Sequence, residues 1–357
     1  MNINTSFVAF GEIAVDYVYD DESVLKIDGG ISAYNTLYYL ACMGNNCIAL
    51  GGTGFDKAGV VMTGAKQSSN TESIIENTVD GKDYFQAHIA MQSLKDVGVE
   101  CSNIQYLNKT INFFFINHNS KNVKIGRFNP GTGESSITWS DEISPDIPEQ
   151  IQNSNVVAVV SNFEQVTKAF VTRVKQSRNG SDKQFPIASM DITNNNIFDK
   201  YPISYLNEFL GNIDLIQCSE NTLKLLIEKY SRELGRSISE EEFVAMTNAK
   251  LFTLTKGKDG ATFYYRDEEG HYVSHSFTPA KVIYNEVDAT GAGDSFHAKV
   301  LQGYVEAIKN RYTLDNVFFS KLFNEANSLS RAVVLQIGAR IPKKDVLDAL
   351  DFESISL

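Results

Sequence analysis

The chain has 357 residues, 43% of them hydrophobic and 21% charged, which is enough apolar material for a full core and excludes wholesale disorder. Its 32 Lys and Arg stand against 44 Asp and Glu, a net charge of −12 that repels phosphate backbones and argues against a nucleic-acid binder. The length fits one large or two ordinary domains.

Met1–Phe10 has no basic n-region and is not read as a signal peptide. No segment reaches the ~18 apolar residues that span a bilayer, so no membrane association is expected. Cys42, Cys47, Cys101 and Cys218 form no C-x-x-C pair. That predicts neither a disulfide framework nor a zinc cluster and fits a reducing cytoplasm.

In chain order, Phe7–Ala14 predicts a first strand with Gly11 at its end, followed by an extended acidic and aromatic stretch, Asp16–Ile27. Asn35–Met43 predicts a helix with Leu37, Leu40 and Ala41 on one face and Gly44 as its stop. Cys47–Leu50 is a short apolar run ending in Gly51-Gly52-Thr53-Gly54. Residues 62–85 are rich in Ser, Asn, Thr and Glu and read as an inserted loop. Thr110–Phe128 alternates around Asn117–Asn122 and predicts a hairpin.

Val156–Val160, Pro186–Asp191, Ile213–Gln217 and Leu251–Thr255 are apolar runs of the kind buried on both faces of a parallel sheet. Helices are predicted at Phe163–Gln176, Asn221–Leu234 and Ser295–Lys309. The alternation of strand and helix predicts a doubly wound α/β fold, a mostly parallel central sheet flanked by helices. The two extended stretches, about 14–28 and 108–130, are expected to form a small discontinuous β lid on what reads as one domain over 1–357.

The most informative string is Asp288-Ala289-Thr290-Gly291-Ala292-Gly293-Asp294, at the start of a helix with Phe296, Val300, Leu301, Tyr304, Val305 and Ile308 at helical spacing. Small residues at a helix N-terminus leave backbone N–H groups open to an anion, and the helix dipole adds to the attraction. A carboxylate beside that anion repels it unless it has a task. Taking a proton from an attacking hydroxyl is such a task. A glycine turn with an ordinary capping Asp writes the same string.

The string resembles the second signature of the ribokinase-like carbohydrate kinases of the PfkB type. The resemblance makes Gly291, Ala292 and Gly293 an anion hole for the transferred phosphoryl group and Asp294 the catalytic base. Other segments resemble the same family in the same order. Gly11-Glu12 with Asp16 resembles the first strand end, whose Asp binds substrate hydroxyls. Gly29-Gly30 and the following helix resemble the first signature, with the acceptor-binding Asn at Asn35 or its place taken by Tyr34. Asp288 joins this acceptor group. Gly54-Phe55-Asp56-Lys57-Ala58-Gly59 resembles the G-x-D-x-x-G turn. Thr255-Lys256-Gly257-Lys258-Asp259-Gly260 resembles the nucleotide loop, with Asn327 and Gly338-Ala339 near the adenine.

The resemblance implies transfer of the ATP γ-phosphoryl to a hydroxyl, usually a primary alcohol, of a sugar or sugar-like substrate. It implies Mg2+, often K+, and often a homodimer formed through the lid. Tyr34, Tyr38 and Tyr39 suit either base stacking in a nucleoside kinase or helix packing. One position departs from the family. Its N-x-x-E, which orders the magnesium hydration shell, falls at Ser219 and Thr222, with Glu220 adjacent as a stand-in acting through water. That departure leaves open a second class of function, a catalytically weakened nucleotide- or sugar-binding protein. His271 and His275 lack a third ligand and read as surface residues. His297 reads as a packed helix histidine. No P-loop or Rossmann glycine pattern occurs.

Overall fold

The computed structural model describes residues 5–19, 24–55, 78–79, 82–83, 85–117, 125–128, 142–148, 154–177, 184–193, 197–267, 269–280 and 286–354. Asp56–Gly59 of the expected G-x-D-x-x-G turn, most of the 62–85 stretch and all but Asn117 of the expected Asn117–Asn122 turn lie outside the described residues.

The chain opens on β1 (Thr5–Tyr19), longer than the predicted strand, with β2 (Val24–Gly30) turning back along it and α1 (Ser32–Cys42) following. Next come β3 (Asn46–Phe55), a ribbon of β4 (Thr78–Val79) and β5 (Lys82–Asp83), α2 (Phe85–Asp96) and β6 (Ile104–Thr110). β7 (Asn112–Asn117) and β8 (Ile125–Phe128) form the expected hairpin. The strand–helix alternation then runs through β9 (Asn155–Val160), α3 (Gln165–Gln176), β10 (Ile187–Ile192), α4 (Ile203–Leu210) and β11 (Leu215–Ser219). It continues with α5 (Glu220–Leu234), α6 (Glu240–Thr247), β12 (Leu251–Thr255), β13 (Ala261–Arg266) and β14 (Tyr272–Phe277). Three helices close the chain, α7 (Ala292–Asn310), α8 (Asn316–Val334) and α9 (Lys343–Ser354).

The central sheet has the order β14-β13-β12-β11-β10-β9-β1-β3-β6. From β6 to β12 neighbours are parallel, and only β13 and β14 run antiparallel. The apolar runs explain this arrangement. In β1, Phe7 and Ala9 pack with α1, α2, α7 and α8, while Val8 and Phe10 pack with α3 to α6 on the other face. In β9, Val157 and Val159 likewise oppose Val156, Ala158 and Val160. A strand apolar on both faces is stable only between two helix layers.

β1 belongs to two sheets. Through Ile13 it pairs with β3 in the central sheet, and from Ala14 to Tyr19 it pairs with β2 and β7 in a small sheet that β8 completes. Of the stretch expected from about 108, residues up to Thr110 belong to β6, with Thr110 opposite Phe55 in the central sheet. Gly11 lies inside β1 rather than at its end. A Cβ on its partner Gly51 would stand 1.8 Å from the Gly11 carbonyl oxygen, so only glycine lets the strands approach this closely.

Candidate active site

At the carboxyl ends of the parallel strands the chain brings together residues from both termini. In α/β sheets this is the edge where ligands bind. β2 leads into α1 through Gly29, Gly30 and Ile31, whose backbone has φ of 81°. Pairing places Asp16 directly opposite Asp28 across β1 and β2. A Cβ on Gly30 would lie 2.2 Å from Asp16 Oδ1, and one on Gly29 would lie 2.5 Å from Arg340 Nη1. The two glycines thus leave room for a carboxylate and a guanidinium.

Helix α1 then presents Ser32 and Asn35 inward. Asn35 Nδ2 donates to Asp294 Oδ2 at 2.9 Å, and Thr36 Oγ1 donates to the Asp294 carbonyl at 3.4 Å. The two candidates of the first signature separate here. Tyr34 is buried, and its hydroxyl donates to the Gly11 and Leu50 carbonyls at 3.0 and 2.7 Å. Asn35 is the one that reaches Asp294. Tyr38 and Tyr39 donate to the Ile341 and Ala339 carbonyls, both at 2.6 Å, so all three hydroxyls serve packing.

Asp294 sits in the first turn of α7, 8% exposed. Burial raises its carboxyl above the ordinary carboxylate range, against the lowering effect of hydrogen bonds from Ser32 and Asn35 and of the Arg340 charge. Gly291 caps the helix with φ of 83°, and a Cβ there would lie 2.3 Å from the Ala339 carbonyl oxygen. The Ala292 N–H turns back onto the Ala289 carbonyl at 3.2 Å. Asp288 holds the loop: its Oδ1 accepts from Thr290 N and its Oδ2 from Gly338 N, both at 2.9 Å. Gly338-Ala339 therefore packs against the 288–291 loop, and Asn327 lies half-buried on α8 one turn before Ser330, whose hydroxyl donates to the Ala292 carbonyl.

Asp16 is pushed up to about 8, first by burial and then by the Asp28 charge, with Arg340 opposing. A third buried carboxyl, Asp191 near the end of β10, lies close to Asp294. Ser32 Oγ donates to its Oδ2 at 2.9 Å, and Gln217 Nε2 lies 3.4 Å from its Oδ1. Burial, then the Asp294 charge, raises Asp191. Gln217 Nε2 also donates to the Gly293 carbonyl at 2.9 Å, tying β11 to the glycine turn.

Sequence reasoning missed Ser32, Asp191, Gln217 and Arg340. Asp191 and Gln217 each close an apolar run, a position where a polar side chain signals a site. Arg340 follows Gly338-Ala339 with no periodic signal of its own.

The nucleotide-loop residues sit farther along the same edge. Thr255 pairs with Ser219 in register, and its hydroxyl donates to the Cys218 carbonyl at 3.3 Å. Gly257 and Gly260 have φ of 56° and 101°. A Cβ on Gly260 would lie 1.9 Å from the Phe277 carbonyl oxygen. At the departure position Ser219 caps α5: its Oγ accepts from Thr222 N at 3.2 Å and lies 2.9 Å from Thr222 Oγ1. Glu220 is half-exposed and stands 3.8 Å from Lys224 on the helix surface. A magnesium shell ordered by an Asn and a Glu needs a carboxylate aimed at the phosphates. Two hydroxyls capping a helix and a solvent-facing Glu do not fit it.

Among the described residues His271, His275 and His297 converge on no shared ligand. His271 is exposed beside Asp267, and His275 stacks on Tyr265. His297 is buried with its Nε2 2.8 Å from Ser189 Oγ, and burial holds it down to about 4. Among the described residues no group of three or more His, Cys, Asp or Glu side chains is disposed to hold a metal, and no helix is long and apolar enough to cross a membrane.

Residues 79–345 match the family described as pfkB family carbohydrate kinase. No curated protein matches the chain by sequence. Among solved structures, the fold is similar to that of a fructokinase with bound ATP from Xylella fastidiosa, with a TM-score of 0.66 and 15% identity, over 98% of this chain and 99% of that one. It is also similar to a double-mutant fructokinase from Vibrio cholerae bound to fructose, ADP and potassium, with a TM-score of 0.61 and 16% identity over 98% and 100%. A nucleoside kinase from Methanocaldococcus jannaschii has a TM-score of 0.59 and 16% identity over 97% and 98%.

Proposed function

Because the chain belongs to the pfkB family of carbohydrate kinases, we propose that it transfers the γ-phosphoryl group of ATP to a hydroxyl, usually a primary alcohol, of a sugar or sugar-like acceptor, with Asp294 as the base. The observation that carries this reading is the setting of Asp294: a buried carboxylate at the start of a long helix, beside a glycine turn, receiving the amide of Asn35. A general base works best with its pKa close to the working pH, and burial moves Asp294 in that direction.

In this reading the acceptor lies between Asp16, the Gly29-Gly30 turn and Asn35, with its reacting hydroxyl against Asp294. The oxygen of that hydroxyl attacks the γ-phosphorus as its proton passes to Asp294, and ADP leaves with the electrons of the broken phosphate bond. Phosphoryl transfer is mostly positioning and electrostatics, so the donors at the helix start matter most. With the Ala292 N–H engaged by Ala289, the N–H groups of Gly291 and Gly293 are the natural donors to the phosphoryl oxygens. The loop from Thr255 to Gly260 carries the nucleotide in this reading. The small sheet of β2, β7 and β8 acts as the lid that excludes water. Magnesium arrives with ATP, and no step is assigned to side chains that hold it.

A sugar acceptor is favoured over a nucleoside because the hydroxyls of Tyr34, Tyr38 and Tyr39 are all engaged by backbone carbonyls, which leaves these rings in the packing. An ADP-release screen over sugars and nucleosides tests the assignment. Turnover of a sugar is the expected result. Turnover of nucleosides alone moves the acceptor class. Ligand binding by calorimetry with no turnover of any acceptor would leave the weakened binder as the better reading.

A further inference from the structure

Arg340 is 4% exposed, and it comes from the segment that packs against the glycine turn rather than from the acceptor side it reaches. Its Nε donates to Asn35 Oδ1 at 3.0 Å. Its Nη1 donates to the Ala90 carbonyl at 3.1 Å and to Ser93 Oγ at 2.6 Å, and lies 3.5 Å from Asp28 Oδ1. Asp28 is held in turn by the Gly29 N–H at 2.7 Å, Ser93 Oγ at 3.0 Å and Lys26 Nζ at 3.1 Å. The result is a continuous chain, Asp28–Arg340–Asn35–Asp294, that runs from β2 to the first turn of α7.

The ends of this chain are chemically unequal. A guanidinium only donates, and an Asn amide has one accepting end and one donating end. Whichever end of Asn35 faces Arg340 must therefore be the oxygen, and the end that faces Asp294 must be the NH2 group.

We propose that Arg340 is a positioning residue that fixes the orientation of the Asn35 amide, so that Asp294 always faces a donor and is held as the ionised base. Without Arg340 only the Asp294 carboxylate itself opposes rotation of the amide, and it does so only while ionised. The flipped form turns a carbonyl oxygen toward Asp294, and two acceptors meet comfortably only when the carboxyl carries a proton. A protonated Asp294 takes no proton from a hydroxyl. The inference rests on Asp294 being the base, and it assigns to Arg340 a role in keeping it so.

Other groups face Asp294 and must be separated from this effect. They are Ser32 and Tyr39 on α1, Asp191 on β10 and Asp16 on β1. His297 lies one turn along α7 and is neutral above about pH 5 because burial holds it down to about 4. Arg340 also acts on Asp16 and Asp294 through its charge alone. A change that works through Asn35 is recognised by its dependence on Asn35.

The test is a titration of the Asp294 carboxyl carbon by NMR, assigned by difference with Asp294→Asn, in wild type, Arg340→Met, Arg340→Lys, Asn35→Ala and the Asn35→Ala/Arg340→Met pair. Arg340→Met is expected to raise the Asp294 midpoint by about one pH unit, and the acid limb of kcat/KM by the same amount. Arg340→Lys keeps a donor-only group and is expected to hold the midpoint close to the wild-type value. In the Asn35→Ala background the Arg340→Met shift is expected to shrink to the smaller part that the charge alone produces. If Arg340→Met stops the chain folding, Asp28→Asn/Arg340→Met removes the buried pair without leaving a lone charge, and the same shift is expected. An unmoved midpoint overturns the proposal, as does a shift of equal size with and without Asn35. The titration does not need turnover. A wild-type chain that phosphorylates no acceptor therefore counts against the kinase reading, and an unmoved midpoint in an active enzyme counts against Arg340 alone.

Discussion

Asn35 and Asp294 are 259 residues apart in the chain, and the amide nitrogen of one stands 2.9 Å from the carboxylate of the other. The contact exists because α1 and α7 lie side by side on one face of the sheet, their N-termini together at the carboxyl ends of the strands. Two helix starts placed this way surround one point with N–H groups and inward side chains, and the dipoles of both favour negative charge there. Burial raises the carboxyls of Asp16, Asp191 and Asp294, and the Asp294 charge adds to the shift of the other two.

Replacing Asp294 by Asn removes the base and keeps the shape. The amide still meets Asn35, so the fold and the ATP site are expected to survive. Turnover should fall by ~10²–10⁴-fold, the usual contribution of a general base. Single-turnover rates with ATP binding measured in parallel provide the check, and retention of more than a tenth of the wild-type rate would remove Asp294 from the role.

The acceptor assignment of Asp16 has a pH signature. Its carboxyl is held at about 8 in the free protein, mainly by burial, so it is largely protonated at pH 7. A hydroxyl donating to it favours the ionised form and lowers that value. Acceptor binding near neutrality should therefore release a proton, and the acceptor KM should fall as pH rises from about 6.5 through 8. Calorimetry in two buffers of different ionisation enthalpy reads the proton directly. Asp16→Ala should abolish the release and raise the acceptor KM while leaving the ATP KM within a few-fold. Proton uptake instead of release would contradict the assignment.

The central sheet was legible because its strands are apolar on both faces: Val156–Val160 and Leu251–Thr255 correspond to β9 and β12. The start of α7 was legible because small residues followed by Asp have few other uses. β1 was read too short. Its second half leaves the central sheet for the small one, and pairing with β2 and β7 rather than composition carries it on to Tyr19. Helices α8 and α9 were not predicted as elements, since their apolar positions gain meaning only against the sheet. The same limit hid Arg340. A lone arginine after Gly338-Ala339 looks like surface charge until the fold puts Asp28 and Asn35 beside it.

At the departure position the carboxylate of Glu220 is half-exposed and stands near Lys224 on the helix surface. Exposed pairs of this kind contribute little. Glu220→Ala should leave the magnesium dependence of turnover within about twofold of wild type. Thr222→Glu with Ser219→Asn should instead lower the magnesium needed for half-maximal rate, because it adds a charge where only hydroxyls stand. Magnesium titrations at fixed ATP distinguish the two. A large effect of Glu220→Ala would mean that the side chain swings inward when nucleotide binds.

Asp191 offers a test on stability rather than turnover. Burial and the neighbouring Asp294 raise its carboxyl above the ordinary value of 3.8. The sign follows from proton counting. A raised carboxyl binds more protons in the folded than in the unfolded chain at pH values above 3.8, so its contribution to stability falls as pH rises through that window. Asp191→Asn removes the charge and keeps an acceptor for Ser32 Oγ. Its new NH2 group takes the place of Oδ1, 3.4 Å from Gln217 Nε2, so one weak hydrogen bond is lost at both pH values alike. At pH 8.5 the variant should melt ~2–5 °C above wild type, whereas at pH 5, where Asp191 of the folded wild type is protonated, the advantage should fall to about half of that or less. His297, held down by burial, destabilises both proteins alike as pH falls, so it cancels from the difference. Thermal melts of both proteins at the two pH values decide the matter. A variant that is less stable at pH 8.5 would mean that the ionised Asp191 is held by its hydrogen bonds more strongly than burial opposes it.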